Sequence, residues 1–424
     1  MKTLSNVLPI IIACYCTLQT AWSNESHYET TGEWVAPRGT EERQFGKCVA
    51  IDERWIAVAT DRGEDGTFDP GSVRLYESNN PNDRPVGLLR APNRQWPDEF
   101  GSSIAFHENQ LLIGAPGDSE VDWDCGAAWM FDYRDSWRLT SALTPTTVEA
   151  GDRFGDSVSI AGTWAAVGAP RSDRAGLDAG AVHLFRMTED QWVESEVVVA
   201  PDASVADFFG DCVALSDTWL AVGSWGDDDH GEKTGSVWIF HREHERWHPV
   251  QKIVPEESSS RDLFGCSLAL SGEWLLVGSS GWNTNQGCIY AFKLEGSTWE
   301  SHRQLHARGG TEQEWSAYSL SMKNGLVVAG APGRRDGVMN GGIDLYTLKE
   351  GTWHWLQRVG PSGEDWQQPN QFGWSVATDG RRIMVGRIDD ADGPAEAGRV
   401  WMVEPHKESP KVCTLISGPV NPEK

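Results

Sequence analysis

Apolar and polar residues alternate along this chain in short runs bounded by Gly, Asp, Asn or Pro. Few segments carry the 3.6-residue period of a helix. The pattern predicts short β-strands throughout, and it repeats. The phrase FGDSVSIAGTWAAVGAP opens at Phe154 and recurs at Phe45, Phe100, Phe209, Phe264, the degenerate Ser316 and Phe372. The steps between these seven anchors are 55, 54, 55, 55, 52 and 56 residues. So strict a period means stacked copies of one supersecondary unit, none of which buries its apolar face alone.

The third copy reads as four strands. Phe154 to Ile160 is the first, Ala161-Gly162-Thr163 a tight turn, and Trp164 to Val167 the second, closed by Gly168-Ala169-Pro170. A polar loop leads to the third strand, Gly180 to Phe185, and the segment from Trp192 to Pro201 is the fourth. Four antiparallel strands in such a period is the size of one propeller blade. Apolar rows support the pleat. Val49, Ile104, Val158, Val213, Leu268, Leu320 and Val376 stand four residues after their anchors. Val58, Ile113, Val167, Val222, Val277, Ala329 and Val385 stand thirteen after. Side chains alternate across a strand, so these rows are expected on the faces where blades pack. The fold class expected is all-β, a seven-bladed β-propeller of four-stranded antiparallel blades over residues 24–419, with a short tail at 420–424.

The ends raise a question of closure. Glu33 to Pro37 looks like a fourth strand, and so does Val412 to Pro419, giving eight outer-strand candidates for seven blades. The expectation is that the Trp34 strand pairs outside Gly398 to Val403 and joins the two ends of the chain.

The Phe-Gly, Gly-Ala-Pro and Gly-x-Val-x-x-Phe elements, in phase across residues 33–419, resemble the FG-GAP repeat family, whose integrin α-subunit members fold as seven-bladed propellers. One departure matters. Integrin-type repeats carry an Asp-rich calcium loop between the first two strands. Here that turn is Ala161-Gly162-Thr163, Ser216-Asp217-Thr218 or Ser271-Gly272-Glu273. A hard cation takes six to eight oxygens, which these turns do not offer. The chain is therefore more similar to an FG-GAP variety lacking the calcium loops.

Residues 1–23 read as a secretory signal, with Lys2 before an apolar stretch from Leu8 to Leu18 and Ala21-Trp22-Ser23 as the cleavage site. A lipid-anchored alternative would use Cys14, with little chain before it. The mature protein is expected to be secreted or held in the cell envelope, without a transmembrane segment. An even number of cysteines in an exported chain invites disulfides. However, Cys48 and Cys212 occupy a slot where other copies have Ser, and Cys288 fills another small-residue slot. Mostly free, buried thiols are expected, with a pairing among Cys125, Cys266 and Cys413 left open.

The formal charge is −26, and most of it falls in loops that a propeller places on one face. These are the loops joining the second to the third strand and the fourth to the next first strand, here called the upper face. Such a field repels nucleic acid and attracts cations or basic partners. Candidate ligand contacts in these loops are Trp96, Trp123, Trp225, Trp282, Trp315 and Trp366, since a Trp beside carboxylates stacks on a sugar ring or holds a cation. Calcium is expected nowhere as a resident cofactor, but Asp227, Asp228 and Asp229, Asp122 and Asp124, and Asp389 and Asp390 are the acidic groups that could hold it. Catalytic signatures at a sensible place are missing: neither a G-x-S-x-G nor an H-E-x-x-H motif nor a phosphate-binding glycine loop falls where it could serve a site. His241, His244 and His248 fall in a solvated turn. The leading expectation is a monomeric, non-catalytic recognition or adhesion module for an extracellular protein or glycan. Its rivals are a polysaccharide hydrolase or lyase with its site at the channel mouth, and a structural envelope component.

Overall fold

The computed structural model describes residues 27–35, 42–60, 62–63, 70–79, 84–93, 98–308, 310–333, 341–361, 371–388 and 398–406. They form the expected seven-bladed propeller of four-stranded antiparallel sheets. In the third blade the strands are Val158–Ala161, Trp164–Ala169, Ala181–Thr188 and Gln191–Val198, paired in sequence order. Every other blade except the seventh repeats this order, and the first strands of consecutive blades pack on one another in a closed ring around the axis. The turns between first and second strands are as short as the sequence implied, with Ala161 paired to Trp164 and Ser271 to Trp274.

The apolar rows lie between blades. Val49, Val58 and Tyr76 of blade one pack with Ala377, Met384 and Val400 of blade seven. Val167 and Phe185 of blade three pack with Leu112, Met130 and Leu143 of blade two. Farther out, each second-strand Trp meets an outer-strand Trp of the next blade, edge to face. The pairs are Trp55 and Trp137, Trp164 and Trp247, Trp219 and Trp299, and Trp274 and Trp353, at 5.4 to 5.7 Å between ring centroids. Such pairs add to plain area burial.

One detail differs from the sequence reading. In most blades the anchor Phe lies ahead of the first strand; only in blade five does the strand begin at it, at Phe264. The six anchor Phe rings are fully buried. Each is held in a tight turn in which the residue before the Phe accepts a hydrogen bond from the residue two after it, as Arg153 does from Asp156 at 3.2 Å. The Gly of Phe-Gly sits third in this turn with φ of 91 to 99°. A type II turn requires positive φ at that position, and Gly adopts it without a Cβ penalty.

The Gly of Gly-Ala-Pro serves close approach instead. A Cβ on Gly168 would lie 2.0 Å from the Gly210 carbonyl oxygen of the next blade. That same carbonyl accepts a hydrogen bond from Ser157 Oγ at 2.7 Å. The arrangement recurs with Ser103 to Gly155, Ser267 to Ala317, Ser319 to Gly373 and Ser375 to Gly46, at 2.6 to 3.0 Å. The serine slot is thus more than a place for a small residue: its hydroxyl joins each blade to the next. Cys48 and Cys212 stand in this slot in blades one and four, as free thiols that burial pushes up to about 11 and about 12. Cys125, Cys266 and Cys288 are also free; Cys413 lies outside the described residues, as does the signal region.

The N-terminal strand closes the ring. Tyr28–Val35 pairs antiparallel with Arg399–Pro405, setting Trp34 opposite Val400 and Val35 opposite Arg399. It is the outer strand of blade seven, and it is treated as one. In other blades an outer-strand side chain grips the backbone of the next outer strand, as Gln251 does at Trp299 through two bonds of 2.9 Å. Gln357 of blade six grips Tyr28 in the same way, at 2.7 and 2.8 Å. Val412 to Pro419 lies outside the described residues.

Candidate functional site

The same turn that buries each anchor Phe places two flanking side chains at the axial end of the upper face. Seven such turns bring seven residues of six types together around the axis. Two residues after the anchors stand Lys47, Ser102, Asp156, Asp211, Cys266, Tyr318 and Trp374. They follow one another in blade order. Lys47 Nζ donates to Ser102 Oγ at 3.3 Å, and the rings of Tyr318 and Trp374 lie 4.9 Å apart. The residues just before the anchors add Glu99, Arg153, Phe208, Leu263 and Trp315, all at positive φ.

The ring is chemically divided. On the side of blades two and three, Arg153 bridges Glu99 at 3.0 Å and Asp156 at 3.3 Å. Burial works against the Arg153 charge, but Asp156 and Glu99 outweigh it and hold the guanidinium firmly protonated. From blade four round to blade seven the lining is largely aromatic. Phe208 stacks on Trp225 at 4.8 Å and 12°, and Lys233 Nζ lies 5.1 Å from the Trp225 ring. Trp315, Tyr318 and Trp374 continue this wall and are partly exposed.

Asp211 stands at the boundary between the two sides. Burial pushes its carboxyl up to about 7, the nearby Asp156 charge adds to the rise, and a hydrogen bond from Trp225 and the charges of Arg153 and Arg171 oppose it. No ion pair joins Asp211 to a base among the described residues. The burial of Tyr318 likewise raises its hydroxyl, helped by Cys266 and by Asp211 two blades away.

The residues expected from sequence scatter around this centre. Trp225 and Trp315 belong to it. Trp123 lies in a loop of blade two and is 68% exposed. Trp282 packs against His306 at 4.8 Å. Trp96 and Trp366 are outside the described residues. Asp227 is buried, accepts from Ser236 Oγ at 2.6 Å, and shares Lys252 with Asp202 and Asp229 at 2.6 to 2.8 Å. Burial opposes the Lys252 charge, but hydrogen bonds to these three carboxylates outweigh it and raise the ammonium. Asp228 is exposed, Asp122 accepts from the Trp123 backbone N–H at 2.8 Å, and Asp124 is half-buried. Asp389 and Asp390 are outside the described residues. Among the described residues no group of three or more His, Cys, Asp and Glu is arranged to hold a metal ion.

Sequence reasoning had missed Lys47, Asp156, Asp211, Tyr318 and Trp374. Their signal is the one position in the inner part of the phrase that changes character in almost every copy. In a repeat whose neighbouring positions hold steady, such a position is free of packing duty.

The FG-GAP repeat model matches residues 137–185, 192–240 and 247–292. The chain carries FG-GAP repeats. Each matched stretch begins at an outer strand and ends at the third strand of the following blade, so it encloses the whole phrase around Phe154, Phe209 or Phe264. Within this chain the turn and the interblade joints recur from blade to blade, while the residues at the axial end differ. No curated protein matches the chain. Among solved structures, the N-terminal domain of Nup159 aligns with a TM-score of 0.47 and 10% identity, over 90% of this chain and 96% of that one. No helix among the described residues is long and apolar enough to cross a membrane.

Proposed function

We propose that this FG-GAP propeller is an exported recognition module that binds an extracellular protein or glycan through its upper face, with the axial end as the primary contact. One observation carries the reading. The inner turns repeat their backbone seven times, yet present seven positions holding Lys, Ser, Asp, Asp, Cys, Tyr and Trp. Packing does not call for that variety, and a rigid scaffold with differing loops is how binding surfaces are built. Reading residues 1–23 as a signal supports export, and the acidic upper loops support a partner other than nucleic acid. The test is retention of extracellular proteins or glycans on the immobilised mature chain. Retention that Trp123→Ala and Trp374→Ala both leave intact would remove the upper face from the reading.

A second reading has one observation in its favour. A carboxyl held up to about 7 beside another carboxylate, as Asp211 is beside Asp156, suits a general acid working near neutral pH. On that reading the chain hydrolyses or cleaves a polysaccharide at the axial end. Depolymerisation of a polysaccharide that Asp211→Asn abolishes would favour it over pure recognition.

A further inference from the structure

The axial end of the upper face combines three properties that together narrow its ligand. It is compact, since turn residues of neighbouring blades touch: Lys47 reaches Ser102 at 3.3 Å, and the Tyr318 and Trp374 rings lie 4.9 Å apart. It has an aromatic wall: Trp374 leans on Tyr318 at 46°, and Trp315 in the same sector is partly exposed with no ring stacked on it among the described residues. Facing that wall is a polar side in which donors and acceptors are already fixed by one another, Arg153 between Glu99 and Asp156, and Lys47 on Ser102.

Charge decides between ligand classes. The acids Glu99, Asp156 and Asp211 stand against the bases Lys47 and Arg153, close to balance, and Arg153 pairs with two of the three acids. Neither a strong anion nor a strong cation gains much from such a balanced rim. A wholly apolar ligand would bury these polar groups without replacing their water, at a cost of roughly 1–3 kcal/mol for each group left unpaired. What fits is a neutral ring with an apolar face and an edge of hydroxyls, each able to donate and accept.

We propose that the axial end of the upper face seats one neutral pyranose unit of a glycan, its C–H face against Trp374 and Trp315 and its hydroxyl edge toward Arg153, Asp156 and Asp211. This rests on the recognition reading and names its ligand class. Trp225 is not part of the platform, because Phe208 stacks on its ring and Lys233 Nζ also lies over it at 5.1 Å. The hydroxyl edge meets a guanidinium and carboxylates, the pairing that satisfies vicinal hydroxyls with one donor and one acceptor group.

The test is calorimetric titration of the mature chain with methyl glycosides of neutral hexoses and with disaccharides, beside n-butylammonium chloride as a cationic probe. At least one sugar series is expected to saturate. Trp374→Ala and Asp156→Asn should each weaken it by roughly tenfold or more, while Trp374→Phe, which keeps a stacking face, stays within about threefold. Trp123→Ala, out on the loop, should leave it unchanged. Thermal melts establish that each variant folds; should Trp374→Ala fail to, Trp374→Phe and Asp156→Asn carry the comparison. The proposal is overturned if no sugar in the panel saturates, if n-butylammonium binds more tightly than every sugar, or if sugar binding survives both the Trp374→Ala and Asp156→Asn changes. A barren sugar panel alongside protein capture that depends on Trp123 would sink the sugar and spare the recognition module.

Discussion

A Cβ on Gly168 would meet the Gly210 carbonyl at 2.0 Å, and near-identical collisions await at Gly114, Gly223, Gly330 and Gly386. The atom in the way is backbone of the next blade, which has nowhere to move without opening the joint. Gly168→Ala should therefore destabilise by ~3 kcal/mol or more. Gly272, with φ of 60° and nothing within 4 Å of its added Cβ, is the comparison: Gly272→Ala should cost only ~1 kcal/mol, from the left-handed backbone alone. Denaturant unfolding separates the two, and equal costs would discredit the joint. Ser157→Ala should cost about 1–2 kcal/mol by leaving the Gly210 carbonyl without its hydroxyl donor, and Ser157→Cys less, since Cys48 and Cys212 hold the same slot.

Asp211 supplies a prediction about pH. Its carboxyl titrates at about 7 in the folded chain, against ~3.9 for an unfolded Asp. The folded state thus holds the proton more tightly. Between those two values the unfolded chain ionises first, and Asp211 draws stability away as pH rises, until the full loss is reached above pH 7. Asp211→Asn should raise the melting temperature at pH 8 and lose that advantage on acidification toward pH 4. A benefit independent of pH would mean that ionisation is not its source.

At the scale of elements, the Tyr28–Val35 strand shows how much of a blade is borrowed. Blade seven has only three consecutive strands of its own, and its outer one comes from the other end of the chain. Tyr28 joins Leu326, Trp401 and Val403 in one buried cluster, taking the place that an outer-strand Trp holds elsewhere. Removing residues 24–35 should expose the edge of Arg399–Pro405 and lower the melting temperature by several degrees or more, on the scale of a few kcal/mol. Tyr28→Ala should reproduce part of that loss. If the deletion melts like the parent, this strand is not what holds the ring closed.

For the whole molecule the dominant fact is charge. A formal −26 repels itself over the full surface, whereas ion pairs act locally, as where Arg358 lies between the buried carboxylates of Glu314 and Asp344. Raising salt shortens the reach of that repulsion from ~30 Å at 0.01 M to ~8 Å at 0.15 M, while buried pairs are screened far less. The melting temperature should rise over this range. A fall would show that surface ion pairs outweigh the net repulsion.

The sequence by itself determined the class, the number of blades and the faces that meet between them, and it left two candidates for the strand that closes the ring. Those features follow from periodicity and pleat: a residue buried in every copy is apolar in every copy, as at Val167 and its equivalents, so repetition amplifies the signal. It also showed the Phe-Gly pair without its full reason, because positive φ and close approach are properties of a backbone already folded. The axial end was decided only in three dimensions. Asp156, Asp211, Tyr318 and Trp374 lie one or two repeats apart along the chain, and each is an unremarkable residue within its own blade. They share a site because the ring closes and turns seven separate positions toward one axis. The expected loop residues show the reverse. Asp227 looks like a free acid in an acidic run, yet Lys252, arriving from the outer strand of the same blade, occupies it. Local pattern records what every blade must do; what one blade does alone depends on neighbours that only the tertiary structure supplies.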